Sequence, residues 1–258
     1  MNNSKINKLA NKIVNAFIKG KIISPLPKSI TKKFENANNF RKICESKMTD
    51  DVIGFKAAGT GIPMIKKLKE KEPFYASVYK KNFIRSGKRV KINNSTLGIE
   101  LEVCYLINKS FFNHKGLLNS KNLIKYIKSV APSIEVVGYR QKKKGISSFG
   151  DLCSDFGANI KFLIGKKKKY KKIKINNLKT KIFNKKINQN VNGNTNTVFV
   201  NPENSLKFVL KKIKKDKIYL KKDFYVFTGS TVGVVPILGK GLYTGKIDMI
   251  GAVKAIIY

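Results

Sequence analysis

The sequence predicts an α+β protein, and three observations carry that prediction. An amphipathic helical pattern opens the chain, alternating β-type runs take over from Pro73 onward, and a further helical pattern interrupts them near residue 203. Residues 5–19 place Ile6, Leu9, Ile13, Phe17 and Ile18 near one helical face, and Gly20 closes that helix. No acid precedes Glu35, which also fits a cleaved targeting peptide; the lack of arginine there favours a packed helix. Pro25 and Pro27 mark a turn, and 29–47 reads as helical. Val52 to Ala58 reads as a strand running into Gly59-Thr60-Gly61, followed by a helix from Pro63 to Glu70. The clearest later strands are 98–107, 133–139 and 224–228, with another pair near 232–238 and 246–257. Helices are expected over 120–130 and 203–214, the second opened by Asn201-Pro202-Glu203. The Lys/Asn/Ile-rich stretch 165–190 reads as a hairpin with an exposed loop. The chain thus divides into a helical N-terminal part, 1–70, and a β-rich part, 71–258. No repeat of fixed period is present.

A length of 258 residues suits one compact domain or one plus a small appendage, and 42% hydrophobic residues supply a core. Lys+Arg 54 against Asp+Glu 15 gives a net charge of +39. Such a balance invites a polyanion partner, because a basic surface releases counterions on meeting phosphate. Only Arg41, Arg85, Arg89 and Arg140 are arginines, however, beside 50 lysines and 26 asparagines. Lys, Asn and Ile are the residues of A/T-rich codons, and arginine is the preferred reader of bases and phosphate. Codon bias is therefore the first explanation of the charge and nucleic acid the second. The lysine runs 142–144 and 166–172 carry one aromatic and no RNA-binding signature, so a solvated loop is favoured. No apolar run reaches membrane-spanning length. Cys44, Cys104 and Cys153 are odd in number and lack CxxC spacing, which points to reduced thiols in a cytoplasmic protein. The single histidine, His114, has no partner signal nearby and reads as a loop residue rather than a ligand or a triad base.

In a chain this poor in acids, a carboxylate inside an apolar strand asks for a reason. Within Gly98-Ile99-Glu100-Leu101-Glu102-Val103, the period of two sends Ile99, Leu101 and Val103 to one face and both glutamates to the other. Glu135 likewise interrupts the apolar run Pro132-Ser133-Ile134-Glu135-Val136-Val137. Adjacent carboxylates in a protected site repel unless a cation or proton compensates, and oxygen-only ligation suits Mg²⁺ or Mn²⁺. The alternative is a strand with one wet face whose glutamates pair with lysines. The similarly spaced Glu70 and Glu72 sit in Lys-Glu-Lys-Glu-Pro, an ordinary solvated stretch.

These residues resemble the 2-keto-4-pentenoate hydratase / 4-oxalocrotonate decarboxylase family of the fumarylacetoacetate-hydrolase-like superfamily, nearly end to end. The opening helix with Ile23-Ser24-Pro25-Leu26 is similar to the family's N-terminal helix and Pro-Leu turn. Ile53-Gly54-Phe55-Lys56-Ala57-Ala58-Gly59-Thr60 resembles its Gly-x-Lys-x-Gly-x-Thr region, and Glu72-Pro73-Phe74-Tyr75 the segment after it. Ile99-Glu100-Leu101-Glu102 falls on the Glu-x-Glu metal strand, and 132–140 on the strand carrying a third carboxylate and an arginine. Phe227-Thr228-Gly229-Ser230 and Ile250-Gly251-Ala252-Val253 resemble the two closing motifs.

The resemblance implies a mixed β-roll flanked by helices, with a small helical N-terminal part and a catalytic domain over 71–258. It also implies a homo-oligomer, or a complex with a related hydratase or decarboxylase. It assigns Glu100, Glu102 and Glu135 to one Mg²⁺ or Mn²⁺, and Lys56 to the substrate carboxylate or to proton transfer. Thr228 and Ser230 become substrate donors. The implied activity is a lyase, the hydration of 2-hydroxypenta-2,4-dienoate to 4-hydroxy-2-oxopentanoate. Decarboxylation of an oxalocrotonate on the same metal is the alternative, and a weakly active or non-catalytic basic binding protein is the alternative of another class.

The chain departs from the family pattern at several points. Lys81 stands where relatives commonly carry an acid, which puts that acid's proton-transfer role in doubt. Asp155 matches an Ala-Asp-Asn signature whose Asn is replaced by Phe156. Ala76 stands for a glycine, and Gly241 lies near another expected acid.

Overall fold

The computed structural model describes residues 2–142, 148–170 and 174–258. In chain order the helices are α1 (Asn3–Lys19), α2 (Lys28–Thr31), α3 (Phe34–Ser46), α4 (Ile62–Lys67), α5 (Ser120–Leu123), α6 (Phe149–Ser154) and α7 (Pro202–Lys215). The strands up to the middle of the chain are β1 (Val52–Ala58), β2 (Phe74–Tyr79), β3 (Phe83–Arg85), β4 (Arg89–Val90), β5 (Thr96–Ile107) and β6 (Ile127–Gly138). They continue as β7 (Asn159–Ile164), β8 (Lys168–Lys169), β9 (Lys179–Asn184), β10 (Gln189–Asn194), β11 (Phe224–Ser230), β12 (Gly241–Ile247) and β13 (Gly251–Ile257).

Two sheets result. The larger runs β2-β1-β11-β5-β6-β7-β3, with β8 added to β6, and the smaller runs β10-β9-β12-β13-β4. One face of β5 and β6 (Ile99, Leu101, Val103, Ile134 and Val136) packs with Ile182, Tyr243, Val253 and Ala255 of the smaller sheet into the main core. A second cluster seats α1 and α3 against Tyr79 and Phe156. The strand β1 falls in the N-terminal part of the expected division at residue 70, yet it is paired on both edges inside the larger sheet.

The helical readings at 5–19 and 203–214 and the strand at 52–58 appear as α1, α7 and β1. Asn2 caps α1, Gly20 ends it at φ 63°, and Ala10, Ile13, Val14 and Phe17 form its buried side, with Ile18 left exposed. The helical stretch 29–47 is two helices, broken between α2 and α3, where Lys33 is extended and the Thr31 carbonyl accepts from Ser148 Oγ at 2.7 Å. Other readings need correction. The helix from Pro63 ends at Lys67 rather than Glu70. The helix over 120–130 stops by Tyr126, because Ile127 to Val130 belong to β6, which runs antiparallel to β5 along most of its length. The strand at 232–238 is a single bridge between Ile99 and Val235; the hairpin there is β12–β13. Pro236, lacking an N–H, follows that bridge.

The hairpin expected within 165–190 lies further on, as β9–β10, while β8 joins β6. Of the two lysine runs, 143–144 and 171–172 lie outside the described residues. The three cysteines are free and buried, and His114 sits in a loop against the Tyr126 hydroxyl. Among the described residues no helix is long and apolar enough to cross a membrane.

Candidate metal centre and adjoining cavity

Register explains why distant residues meet. In the β5–β6 ladder Glu100 stands directly opposite Glu135, and Glu102 opposite Ser133. Directly opposed residues share a face, so the three glutamates project from one side of the sheet. Across β5 and β11 the same face carries Cys104 and Phe227, and Lys56 of β1 pairs with Phe227. Curling of the sheet brings the Lys56 ammonium onto Glu135.

A ligand oxygen from each of Glu100, Glu102 and Glu135 lies within 4.8 Å of the others. Glu102 and Glu135 are fully buried and Glu100 is half-buried. Lys56 Nζ donates to Glu135 Oε1 at 2.5 Å and to the Gly157 carbonyl at 3.0 Å. The Gly229 N–H donates to Glu102 Oε2 at 3.0 Å. Among the described residues the other oxygens, Glu102 Oε1 and Glu135 Oε2, are enclosed with no N–H or hydroxyl donor, and the two carboxyl groups lie close enough to share a proton.

Burial, then the neighbouring Glu135 charge, pushes the Glu100 carboxyl up to about 7, against the opposing pull of Lys56. The same causes hold the Glu102 carboxyl well above the usual carboxylate range. Burial alone would lower the Lys56 ammonium, but Glu135, Glu100 and Glu102 together outweigh it and keep the proton bound.

If all three carboxylates ionise, one ammonium leaves two negative charges uncompensated where an oxygen of each glutamate lies within 4.8 Å of the others. At an effective dielectric of about 20, unit charges about 5 Å apart repel by about 3 kcal/mol. A hard divalent cation with oxygen ligands neutralises that excess and satisfies the lone pairs, so these residues fit Mg²⁺ or Mn²⁺.

Glu100 and Lys56 open onto a cavity of about 230 Å³. Ala58, Pro63, Met64, Leu97, Val137 and Val234 give it apolar walls, and Thr60, Tyr139, Thr197 and Ser230 add hydroxyls. Ser230 lines the cavity, with its Oγ donating to the Gly233 carbonyl at 2.8 Å. Thr228 is turned away from the role expected of it: its Oγ1 donates to the Val103 carbonyl at 2.9 Å, and it does not line the cavity. Lys81 also lies outside the cavity lining, with its ammonium 4.7 Å from the centre of the Phe17 ring.

Two backbone groups escaped the sequence reading, the Gly229 N–H and the Gly157 carbonyl. Both glycines have positive φ, +101° and +68°. A Cβ on Gly229 would stand 2.1 Å from Thr60 Oγ1, so the Thr-Gly-Ser motif encodes a close approach rather than only hydroxyls.

No family model matches the chain, and no curated protein matches it by sequence. Solved structures do match. A 4-oxalocrotonate decarboxylase from Pseudomonas putida G7, complexed with magnesium and adipate, superposes with TM-score 0.85 at 16% identity, covering 100% of this chain and 99% of that one. Fumarylpyruvate hydrolase from Pseudomonas aeruginosa, in complex with Mn²⁺ and pyruvate, gives 0.56 at 11% identity over 82% of this chain and 91% of that one. A 5-carboxymethyl-2-hydroxymuconate delta-isomerase from Mycobacterium smegmatis gives 0.54 at 10% identity, covering 81% and 78%. At these identities the likeness is one of fold, and the chain has the fumarylacetoacetate-hydrolase-like fold.

Proposed function

We propose that the protein is a divalent-metal-dependent lyase acting on a small unsaturated 2-oxo acid, with Glu100, Glu102 and Glu135 holding one Mg²⁺ or Mn²⁺. The observation that carries this reading is the enclosed triplet, two of whose oxygens meet no N–H or hydroxyl donor among the described residues, beside a cavity of substrate size. The structural neighbours bound to magnesium and adipate, or to Mn²⁺ and pyruvate, support it. When bound, the ion would draw electron density from the 2-oxo group of a chelating substrate and favour enolate-like charge there.

The remaining work falls to the chain. Lys56 spends two of its three N–H groups on Glu135 and Gly157, and the third is available to a substrate carboxylate. From that position Lys56 can clamp the substrate carboxylate electrostatically or pass it a proton. The apolar walls exclude water from the substrate's carbon chain, which strengthens the clamp.

Two reactions fit this arrangement. Hydration of 2-hydroxypenta-2,4-dienoate to 4-hydroxy-2-oxopentanoate is the one the sequence motifs lead with. Decarboxylation of 4-oxalocrotonate has a specific observation in its favour. Among the described residues lining the cavity, only Lys56, Glu100 and Tyr139 titrate, and burial holds the Tyr139 phenol protonated. Adding water requires a group to activate it, whereas loss of CO₂ begins without a base.

Ultraviolet absorbance of each substrate with the Mn²⁺-loaded protein, together with CO₂ release, separates the two. Metal-dependent loss of the dienoate without CO₂ marks the hydratase, and CO₂ from 4-oxalocrotonate marks the decarboxylase. Neither reaction, in folded protein that binds Mn²⁺, contradicts the proposal.

A further inference from the structure

We propose that Phe17 of α1 is a positioning residue for Lys56, acting through the turn 156–158. The turn is unusual: Phe156, Gly157 and Ala158 are three successive residues with positive φ, 53°, 68° and 59°. Only glycine adopts this backbone readily, so the turn must be held by its surroundings. What it presents to the site is the Gly157 carbonyl, which accepts from Lys56 Nζ at 3.0 Å. It also packs against the lysine stem: a Cβ on Gly157 would lie 3.6 Å from Lys56 Cδ and 3.0 Å from Ala58 Cβ.

Three contacts pin the turn from behind. Asp155 accepts from the Arg140 backbone N–H and from Arg140 Nη1, both at 2.9 Å. Asn159 Nδ2 donates to the Phe156 carbonyl at 2.8 Å. The Phe17 ring covers the Phe156 ring at a centroid distance of 4.8 Å. Phe17 gathers more than this one contact, because Arg140 lies 4.5 Å and Lys81 4.7 Å from its ring centre. The two departures at Lys81 and Phe156 therefore meet on one ring of the N-terminal helix. The chain of contacts runs from Phe17 to Phe156, to the Gly157 carbonyl, to the Lys56 ammonium. Docking of α1 thereby sets where the cavity's only lysine among the described lining residues points. The relevance of that setting to turnover rests on the function proposed above, whereas the contacts themselves do not.

The test reads Lys56 directly. The full-length chain with Mn²⁺ is acetylated briefly, and the Lys56-containing peptide is quantified by mass spectrometry. Parent, Phe17→Ala, Phe17→Leu and Phe156→Asn proteins are compared, the last removing the ring while keeping a residue at ease with left-handed backbone. Phe17→Ala and Phe156→Asn are expected to raise Lys56 labelling about tenfold with amide exchange in β12 and β13 unchanged, and Phe17→Leu to raise it far less. Should Phe17→Ala fail to fold, Phe156→Asn decides by the same criterion. Labelling equal to the parent's overturns the proposal, as does an increase shared by β12 and β13 exchange. Turnover by the parent is followed in parallel, and its absence with both substrates retires the functional reading while leaving the Lys56 comparison intact.

Discussion

Lys56 is the cation that allows three glutamates to share one enclosed site. Its removal leaves Glu135 buried without its ion-pair partner. Lys56→Met is therefore expected to cost about 3–5 kcal/mol in urea unfolding at neutral pH, with part recovered on adding Mn²⁺. A loss below about 1 kcal/mol, the range of an exposed pair, would mean the pair is wet. The glutamates were legible because acids are scarce in this chain and these interrupt apolar strands. Lys56 was legible only through its motif, being one of 50 lysines. The Gly157 carbonyl was not legible, since a main-chain acceptor leaves no mark in side-chain chemistry. Of the hydroxyl or backbone donors that the resemblance offers at Thr228, the hydroxyl is taken by a neighbouring strand, at the Val103 carbonyl.

At the scale of elements, the end of β11 decides how Glu102 is aimed. The β11–β5 register shifts between Phe227 and Ser230, and the Gly229 N–H in that irregular stretch reaches Glu102. Gly229→Ala would add a Cβ against Thr60 in a left-handed backbone, costing about 1–3 kcal/mol for the conformation alone. Mn²⁺ affinity measured by calorimetry is expected to fall with it by about tenfold, because a backbone displaced by that Cβ carries its N–H away from Glu102. Unchanged affinity in a folded variant would detach the bulge from metal binding. Elements with strong local signals (β1 before its glycines, α7 behind Asn201-Pro202, α1 before Gly20) stand where their residues indicate. Elements set by tertiary partners did not announce themselves. The start of β6 at Ile127 follows from pairing with β5, and the α2–α3 break from the Ser148 contact with Thr31.

For the whole molecule, proton and metal compete for one site. Glu100 stands at about 7 in the metal-free fold against an ordinary value near 4.5, and Glu102 is also raised. Both bind protons more tightly folded than unfolded. Their protonation therefore stabilises the metal-free protein fully below about pH 4.5, and the Glu100 contribution disappears as pH rises through about 7. Asp216 and Asp223 shift the other way and matter only in more acidic solution. Scanning calorimetry should thus find the metal-free Tm falling between about pH 5 and 8 while the gain from Mn²⁺ widens; a metal-free Tm that rises across that range would contradict it. Among the described residues Lys56 is the one buried lysine, so the other described lysines that contribute to the +39 charge lie outside this balance. The most direct test of the three-glutamate centre is a Mn²⁺ titration of the parent and of Glu102→Gln, with free Mn²⁺ read by electron paramagnetic resonance. One tight Mn²⁺ per chain is expected in the parent, tightened by pyruvate, with affinity at least about 100-fold weaker in a variant that remains folded. No binding by the parent, or equal binding by both proteins, would contradict a metal centre built on Glu100, Glu102 and Glu135.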